Sequence, residues 1–468
     1  MGNVKCTILI VLCWDVFCCP VFGYNWIDNP GQGTPENPYQ ISTAEQLMAI
    51  GSDPSVLGSH FVLTADIDLS GRVFDEALIA PDIDWQRADY QGQPFTGSFD
   101  GRNKHIIGLV IEADQPGRDY LGLFGQLGSS AIVRDLDLRG LFINTPVSLY
   151  VGGLAGRAVS ATVLRCEVEG QIFAAGLMGG LVGDAEQTTI KVCEFSGLMA
   201  CDSSGYYLGG LVGRGYSVTI QGCRTLGRMI LGEWSGLSGG LIGSISSSAI
   251  LCSCAQMTMA CGGHTAQIGG LVGVFSFSYV NNCYSQGSID ASSTADTFGG
   301  LIGQCDTVLF EIKNCYAVCQ IIGGSGINVG GLIGFGDPQM VTQSYFLSTA
   351  DGGGPDNNIG LVRTAVQLKQ RATYEGWDFV GQSQDGSDEI WRMCKNGVAY
   401  PRLSWEYAHG GDFDCPDGID TADLLALAFS WLGSEQADQT YRTSVDADCN
   451  GKIDLRDFAV LAGYWLSD

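Results

Sequence analysis

The most explicit chemistry in this 468-residue chain lies near its C-terminus, in DADCNGKIDLRDFAVLAGYWL beginning at Asp446. Counted from Asp446 as position 1, side-chain oxygens recur at positions 3 (Asp448), 5 (Asn450), 9 (Asp454) and 12 (Asp457), with Gly451 at 6 and the Lys452 carbonyl at 7. Hard oxygen donors at these intervals, bent around a glycine, wrap a cation as large as Ca²⁺. This is the spacing of a twelve-residue calcium loop with Asp in place of Glu at the last position. A related segment, DFDCPDGIDTADLLALAFSWL, starts at Asp412. There Asp414, Asp420 and Asp423 fall at positions 3, 9 and 12, Pro416 takes position 5, and Asp417 and Gly418 each come one place late. Two Ca²⁺ sites are therefore expected, the second with the more regular loop, and Asp417 is the candidate replacement for the ligand that Pro416 displaces.

Each loop must be held by the element that follows it. Asp457 opens a stretch whose Phe458, Leu461, Ala462 and Trp465 fall on one helical face, and both segments end in Trp-Leu. From His409 to Asp468 twelve Asp or Glu stand against three Lys or Arg, and their spacing marks a cation site rather than a solvated acidic tail. Two calcium loops, each followed by a single helix, resemble the dockerin family over about Gly411–Leu466. That resemblance implies a small all-α calcium-binding domain over 409–468 that docks onto a cohesin-like partner in extracellular polysaccharide-degrading assemblies. The partner-contact positions, 10 and 11 of each loop, would be Thr421 and Ala422, then Leu455 and Arg456.

Other residues with chemical potential are weaker candidates. Asp66, Asp68 and Asp100 are the best acidic set for glycan catalysis, which needs paired carboxylates or a calcium-Asp-Arg cluster on one face. Yet ADIDLSG and FDG also read as turns between strands. The four histidines are scattered, and charges elsewhere in the array described below fall at no repeated position. Trp377, Trp391 and Trp405 suit either a carbohydrate-stacking platform or an aromatic cap over the last coil of that array. The cap is the simpler expectation.

The elements that carry these residues are written in a tandem repeat. From Tyr120 the phrase GLFG, GGLAG, GGLVG or GGLIG returns through Gly334, with leucines at 123, 154, 181, 211, 241, 271, 301 and 332. A fixed period of 30 residues or so means a repeat architecture. One unit, YLGGLVGRGYSVTIQGCRTLGRMILGEWSG (Tyr207–Gly236), has no helical periodicity but short β-branched runs between glycines. The length suits one coil of three short strands and three turns. Coils stacked in register would pair as parallel sheets about 4.8 Å apart, each repeat position becoming a ladder. The leucines should face inward, and the glycines should fit tight corners, either by close packing or by positive φ.

A second ladder is expected from Cys166, Cys193, Cys223, Cys254, Cys283 and Cys315, which follow the phrase by 10 to 12 residues and give way to Ser344 in the last unit. Rungs about 4.8 Å apart exceed the reach of a disulfide, so these cysteines read as core filler rather than as bridges or a metal wire. A β-branched residue stands three before most of them, as in Ile220/Cys223. Residues three apart face opposite sides of a flat strand, so a corner or bulge must intervene if both are buried. The array resembles the GLUG-motif repeat, over about Tyr120–Gly334, a motif of large exported and surface proteins that include IgA1-specific metallopeptidases. No HExxH zinc motif occurs here, so protease activity is not implied.

The fold class expected is mainly β: a parallel β-helix or solenoid with end caps, plus the small all-α domain. The divisions are 1–23 a signal peptide, 24–118 an N-terminal cap and first coils, 119–335 the repeats, 336–408 an aromatic C-terminal cap, and 409–468 the calcium module. A short helix over Thr43–Ile50, with Ser42 or Thr43 as its cap, belongs to the N-terminal part. MGNVKCTILIVLCW gives a lysine and a short apolar run, the pattern of an export signal (a buried first strand is the alternative). No later run is long and apolar enough to span a membrane. With a formal net charge of −26 the chain should repel nucleic acid and anionic membranes. The expectation is a secreted or cell-surface protein. Either a non-catalytic solenoid presents a polysaccharide or surface ligand site beside a calcium-dependent docking module, or a polysaccharide lyase or hydrolase is tethered through that module.

Overall fold

The computed structural model describes residues 24–84, 86–87, 89–201, 205–291, 294–306, 311–323, 328–380, 382, 386, 388–394, 396–410, 421–432 and 455–465. Its frame is a parallel β-solenoid. Strand Tyr39–Ile41 pairs with His60–Leu63, and parallel pairing continues coil by coil to Leu361–Arg363. Sheets of 21, 8 and 7 strands form its sides. Residues 24–68 supply the first rungs and include helix Ala44–Ser52, between the first two strands, whose cap Thr43 accepts a hydrogen bond from the Gln46 amide.

A middle coil shows how the repeat folds. Gly205–Gly209 lies in one sheet, Val212–Tyr216 in the next, and Thr219–Gln221 and Arg224–Leu231 share the third. There are four strands per coil rather than the expected three, because the third side bends at Gly222, whose φ is +64°. The bend is itself a ladder of left-handed residues: Asp135, Arg165, Val192, Gly222, Cys252, Asn282, Asn314 and Gln343. It is the corner required between Ile220 and Cys223, both fully buried.

All eight phrase leucines are fully buried, and the rungs are continuous: the Leu211 amide donates to the Leu241 carbonyl at 2.8 Å, and Leu241 to Leu271 at 2.9 Å. The phrase glycines serve close approach rather than positive φ. A Cβ on Gly210 would lie 2.0 Å from the Gly240 carbonyl oxygen, far inside van der Waals contact.

The cysteine ladder is one rung shorter than the spacing suggests. Cys166, Cys193, Cys223, Cys283 and Cys315 are buried free thiols, but in the coil between Cys223 and Cys283 the rung is Ser253, whose hydroxyl accepts from the Cys223 amide at 3.1 Å. Cys254 instead pairs with Arg224 and Tyr284 on the adjoining outward ladder. The phrase-to-cysteine interval varies, and only the corner shows which neighbour turns inward. Ser344 does occupy the cysteine rung, accepting from the Cys315 amide.

The aromatic segment after Arg363 does not simply seal the last coil. It runs back along the side of the stack over an outward tyrosine ladder. Trp377 and Trp391 pack on Tyr316, Trp391 Nε1 donates to Asn282 Oδ1, and Trp405 Nε1 donates to the Cys252 carbonyl. Tyr284, Tyr316, Tyr345, Tyr374, Trp377, Phe379 and Trp391 form a second hydrophobic core outside the coil interior. Within it Glu406 is buried, accepting from the Tyr284 hydroxyl at 2.8 Å and the Leu403 amide at 2.9 Å. Helix Ser404–Gly410 then contacts helix Leu455–Trp465, which also meets helix Thr421–Leu432. No helix among the described residues is long and apolar enough to cross a membrane.

Candidate functional site

Parallel register turns residues about 30 apart into neighbours, and it does so for charge as well as for leucine. Contrary to the expectation that array charges fall at no repeated position, they align between coils. Arg134 Nη2 donates to Asp100 Oδ2 at 2.8 Å, and Arg165 grips Asp135 with Nε at 2.5 Å and Nη2 at 2.9 Å. Arg224 Nη2 lies 2.6 Å from Glu194. On another side Asp184, almost fully buried, sits between Arg157 at 3.3 Å and Arg214 at 2.8 Å. Superposing the units on their leucines aligns Arg157, Asp184 and Arg214, across the shorter unit between Leu154 and Leu181, and Glu194 with Arg224.

Two features stand out on the bent side of the solenoid. The first is a cleft of about 540 Å³ lined by Asp100, Arg102, Asn103, Arg134, Asp135, Arg165 and Arg456. It is built where the corner is irregular. Later coils turn with one left-handed residue, but between Asp100, which pairs with Arg134, and Lys104, which pairs with Leu136, three residues, Gly101, Arg102 and Asn103, stand opposite the single Asp135. Arg102 and Asn103 are both left-handed, with φ of +49° and +55°. The Arg102 amide donates to Asp100 Oδ1 at 3.0 Å. Gly101 lies so close to the next coil that a Cβ would meet the Asp135 carbonyl oxygen at 2.2 Å. Such insertions re-aim side chains, and here Arg102 is exposed into the cleft.

The second is a row of acids one ladder further on. His105, Asp137, Glu167, Glu194 and Arg224 are successive register partners. His105 Nδ1 is 3.0 Å and Arg139 Nη2 3.5 Å from Asp137. Burial raises the Asp137 carboxyl above its ordinary range against the pull of His105 and Arg139. Glu167 keeps an exposed edge, yet crowding around its carboxyl, then Asp137 and Glu194, push it up to about 7. A carboxyl raised on folding binds its proton more tightly in the native state, so its contribution falls as pH climbs from the unfolded value of about 4.3 towards 7. Glu167→Gln should therefore be more stable than the parent at pH 8, the difference vanishing near pH 4. Urea midpoints across that range check it.

Of the other acids singled out from the sequence, only Asp100 reaches the cleft. Asp66 Oδ1 accepts from the His105 amide of the next coil at 2.9 Å, and Asp68 Oδ1 accepts from the Ser70 amide at 2.8 Å within a turn. The His105 amide holds the Asp66 carboxyl below the usual range, and the Ser70 hydroxyl, then its amide, does the same for Asp68.

Asp412, Asp414, Asp417, Gly418, Asp420, Asp446, Asp448, Asn450, Lys452 and Asp454 lie outside the described residues, and among those described no cluster of three His, Cys, Asp or Glu is placed to hold a metal. The final carboxylate of each loop is described. Asp423 and Asp457 are both fully buried, in the first turns of helices Thr421–Leu432 and Leu455–Trp465. An inward-facing carboxylate opening the helix is what the last ligand of a calcium loop requires, so these residues fit the ion. Of the partner-contact positions, Leu455 is exposed and Arg456 lines the solenoid cleft. Thr421 and Ala422 open their helix.

No family model matches the chain. Two curated proteins are similar over part of it: halomucin of Haloquadratum walsbyi, 32% identical over 143 residues, and a protein of Evansella cellulosilytica named "Putative Gly-rich membrane protein", 34% identical over 128 residues. The matches take in 28% and 27% of this chain but only 2% and 14% of those proteins. Among solved structures, the crystal structure titled "putative immunoglobulin A1 protease from Bacteroides ovatus" is 19% identical with a TM-score of 0.38, covering 80% of this chain and 94% of that one. Another, titled "IgA1 Protease", is 14% identical with a TM-score of 0.44, covering 86% of this chain and 29% of that one.

Proposed function

We propose that the chain is an exported, non-catalytic β-solenoid that presents a ligand-binding side and carries a calcium-dependent, dockerin-like docking module over 409–468. The observation that carries the first half is the pairing of outward charge between coils. Asp100, Asp135, Asp184 and Glu194 are each gripped by an arginine, so these four carboxylates brace neighbouring coils instead of standing free as acid or base. The module rests on the loop spacing and on the buried Asp423 and Asp457. Export is supported by a disulfide at Cys394, whose partner lies outside the described residues; such bonds persist in oxidising compartments.

A second reading, a polysaccharide lyase or hydrolase tethered through the module, is favoured by one observation. In the row Asp137, Glu167, Glu194 one carboxyl titrates near neutrality, as a general acid would. The two are separated by incubating the purified full chain with pectins, alginates and sulfated glycans. Binding without chain shortening is expected, whereas new reducing ends or unsaturated products that disappear in Glu167→Gln would establish the enzyme.

A further inference from the structure

We infer that the cleft at the Asp100–Asn103 corner binds the carboxylate groups of a uronic-acid oligosaccharide. The proposal rests on the reading of this protein as a solenoid with a ligand-binding side and gives that reading a site and a ligand class. Four guanidiniums, of Arg102, Arg134, Arg165 and Arg456, face two carboxylates, of Asp100 and Asp135, giving a local balance of 4 − 2 = +2. The whole chain carries −26 with only 24 Lys and Arg. So cationic a pocket on so acidic a molecule is a local exception, and its field selects an anion against the repulsion of the rest. A long polyanion would meet that repulsion; a short oligomer, or the end of a chain, seated in about 540 Å³ would meet less of it.

The geometry points to carboxylate in particular. Arg165 already displays the planar fork on a carboxylate, Nε and Nη2 on the two oxygens of Asp135, while Nε and Nη2 of Arg134 share Asp100 Oδ2, and these pairs hold both guanidiniums fixed. Arg102 differs. Its side chain is exposed and forms no ion pair among the described residues. The three-residue corner that carries it is the irregularity in a ladder of otherwise one-residue corners. A stack needing only a turn would have used one left-handed residue, as at Asp135 and Arg165. The longer corner lifts a guanidinium over a pre-arranged polar floor. Arg102 would take the sugar carboxylate bidentately. The Asn103 amide and the outer edges of Asp100 and Asp135 offer donors and acceptors to ring hydroxyls.

The test uses the full chain, calcium-loaded, titrated calorimetrically with a short oligogalacturonate at low ionic strength. Binding should weaken steeply with added salt and be lost when the same oligomer is fully methyl-esterified. Arg102→Asn, which removes the charge but suits a left-handed backbone, should weaken binding roughly tenfold with an unchanged unfolding midpoint. Free galacturonate and sulfate serve as competitors. Displacement by sulfate as readily as by galacturonate would show a general anion site and overturn the carboxylate assignment. Equal binding of acid and ester, undiminished binding by Arg102→Asn, or no binding would overturn the site itself. Sizing the oligomer afterwards keeps the outcomes apart: shortened product defeats the non-catalytic reading while leaving the site, and intact unbound oligomer defeats the site while leaving the scaffold.

Discussion

Gly240→Ala is expected to destabilise the protein by about 3 kcal/mol, as overpacking a rigid interior does, although it adds one methyl group. The Cβ would lie 2.1 Å from the Gly270 carbonyl oxygen and 2.9 Å from the Ala255 Cβ. Neither neighbour can retreat. The Gly240 amide donates to the Gly269 carbonyl at 3.2 Å and the Leu241 amide to the Leu271 carbonyl at 2.9 Å, so relief means parting two coils along the buried leucine ladder. Its φ is not in the left-handed region, so the cost is steric and separable from backbone strain. Gly58→Ala is the control. There the nearest atom to a new Cβ is Thr96 Oγ1 at 3.5 Å, and the change should stay within about 0.5 kcal/mol. Urea denaturation of both measures the contrast; equal midpoints would defeat the close-approach account.

The phrase around Gly240 was legible in the sequence because a solenoid is periodic in the chain. Leucine at each repeat had to be inward, and the β-branched residue three before a cysteine had to be separated from it by a corner. What was illegible was whatever depends on the exact rung. Cys254 and Ser253 both fall near the expected spacing, and only the left-handed Cys252 decides that Ser253 turns inward. The charge ladders suffered in the same way: Asp137, Glu167, Glu194 and Arg224 become one row only once a shorter unit is accommodated. Trp377, Trp391 and Trp405 were recognisable as packing residues, but the tyrosine ladder they cover is built from three separate coils, and no local signal pairs it with a segment beyond Arg363. The cleft was half legible. Asp100 attracted notice, whereas Arg102 matters through an insertion visible only against the regular corners of other coils.

Asp457→Ala should lower Ca²⁺ affinity at the second loop at least about 100-fold, and chelation of the full chain should reduce its helical signal. Asp457 and Asp423 are fully buried and stand at the twelfth position of each expected loop, where the last carboxylate ligand of a calcium loop would lie. The helices that begin beside them, of 12 and 11 residues, are too short to persist on propensity alone, so ordering them should be coupled to the ion. Calorimetric titration of calcium and far-ultraviolet dichroism with and without chelator test this directly, and a helical signal indifferent to chelator would sink it. The consequence reaches the solenoid. Arg456 immediately precedes Asp457 and lines the cleft with Asp100 and Arg165, so an ion that orders the helix would also place a guanidinium over the proposed glycan site. Oligogalacturonate should bind more weakly in chelator, and by linkage should raise calcium affinity by the same factor. Arg456→Ala should erase that reciprocity while leaving calcium binding itself in place.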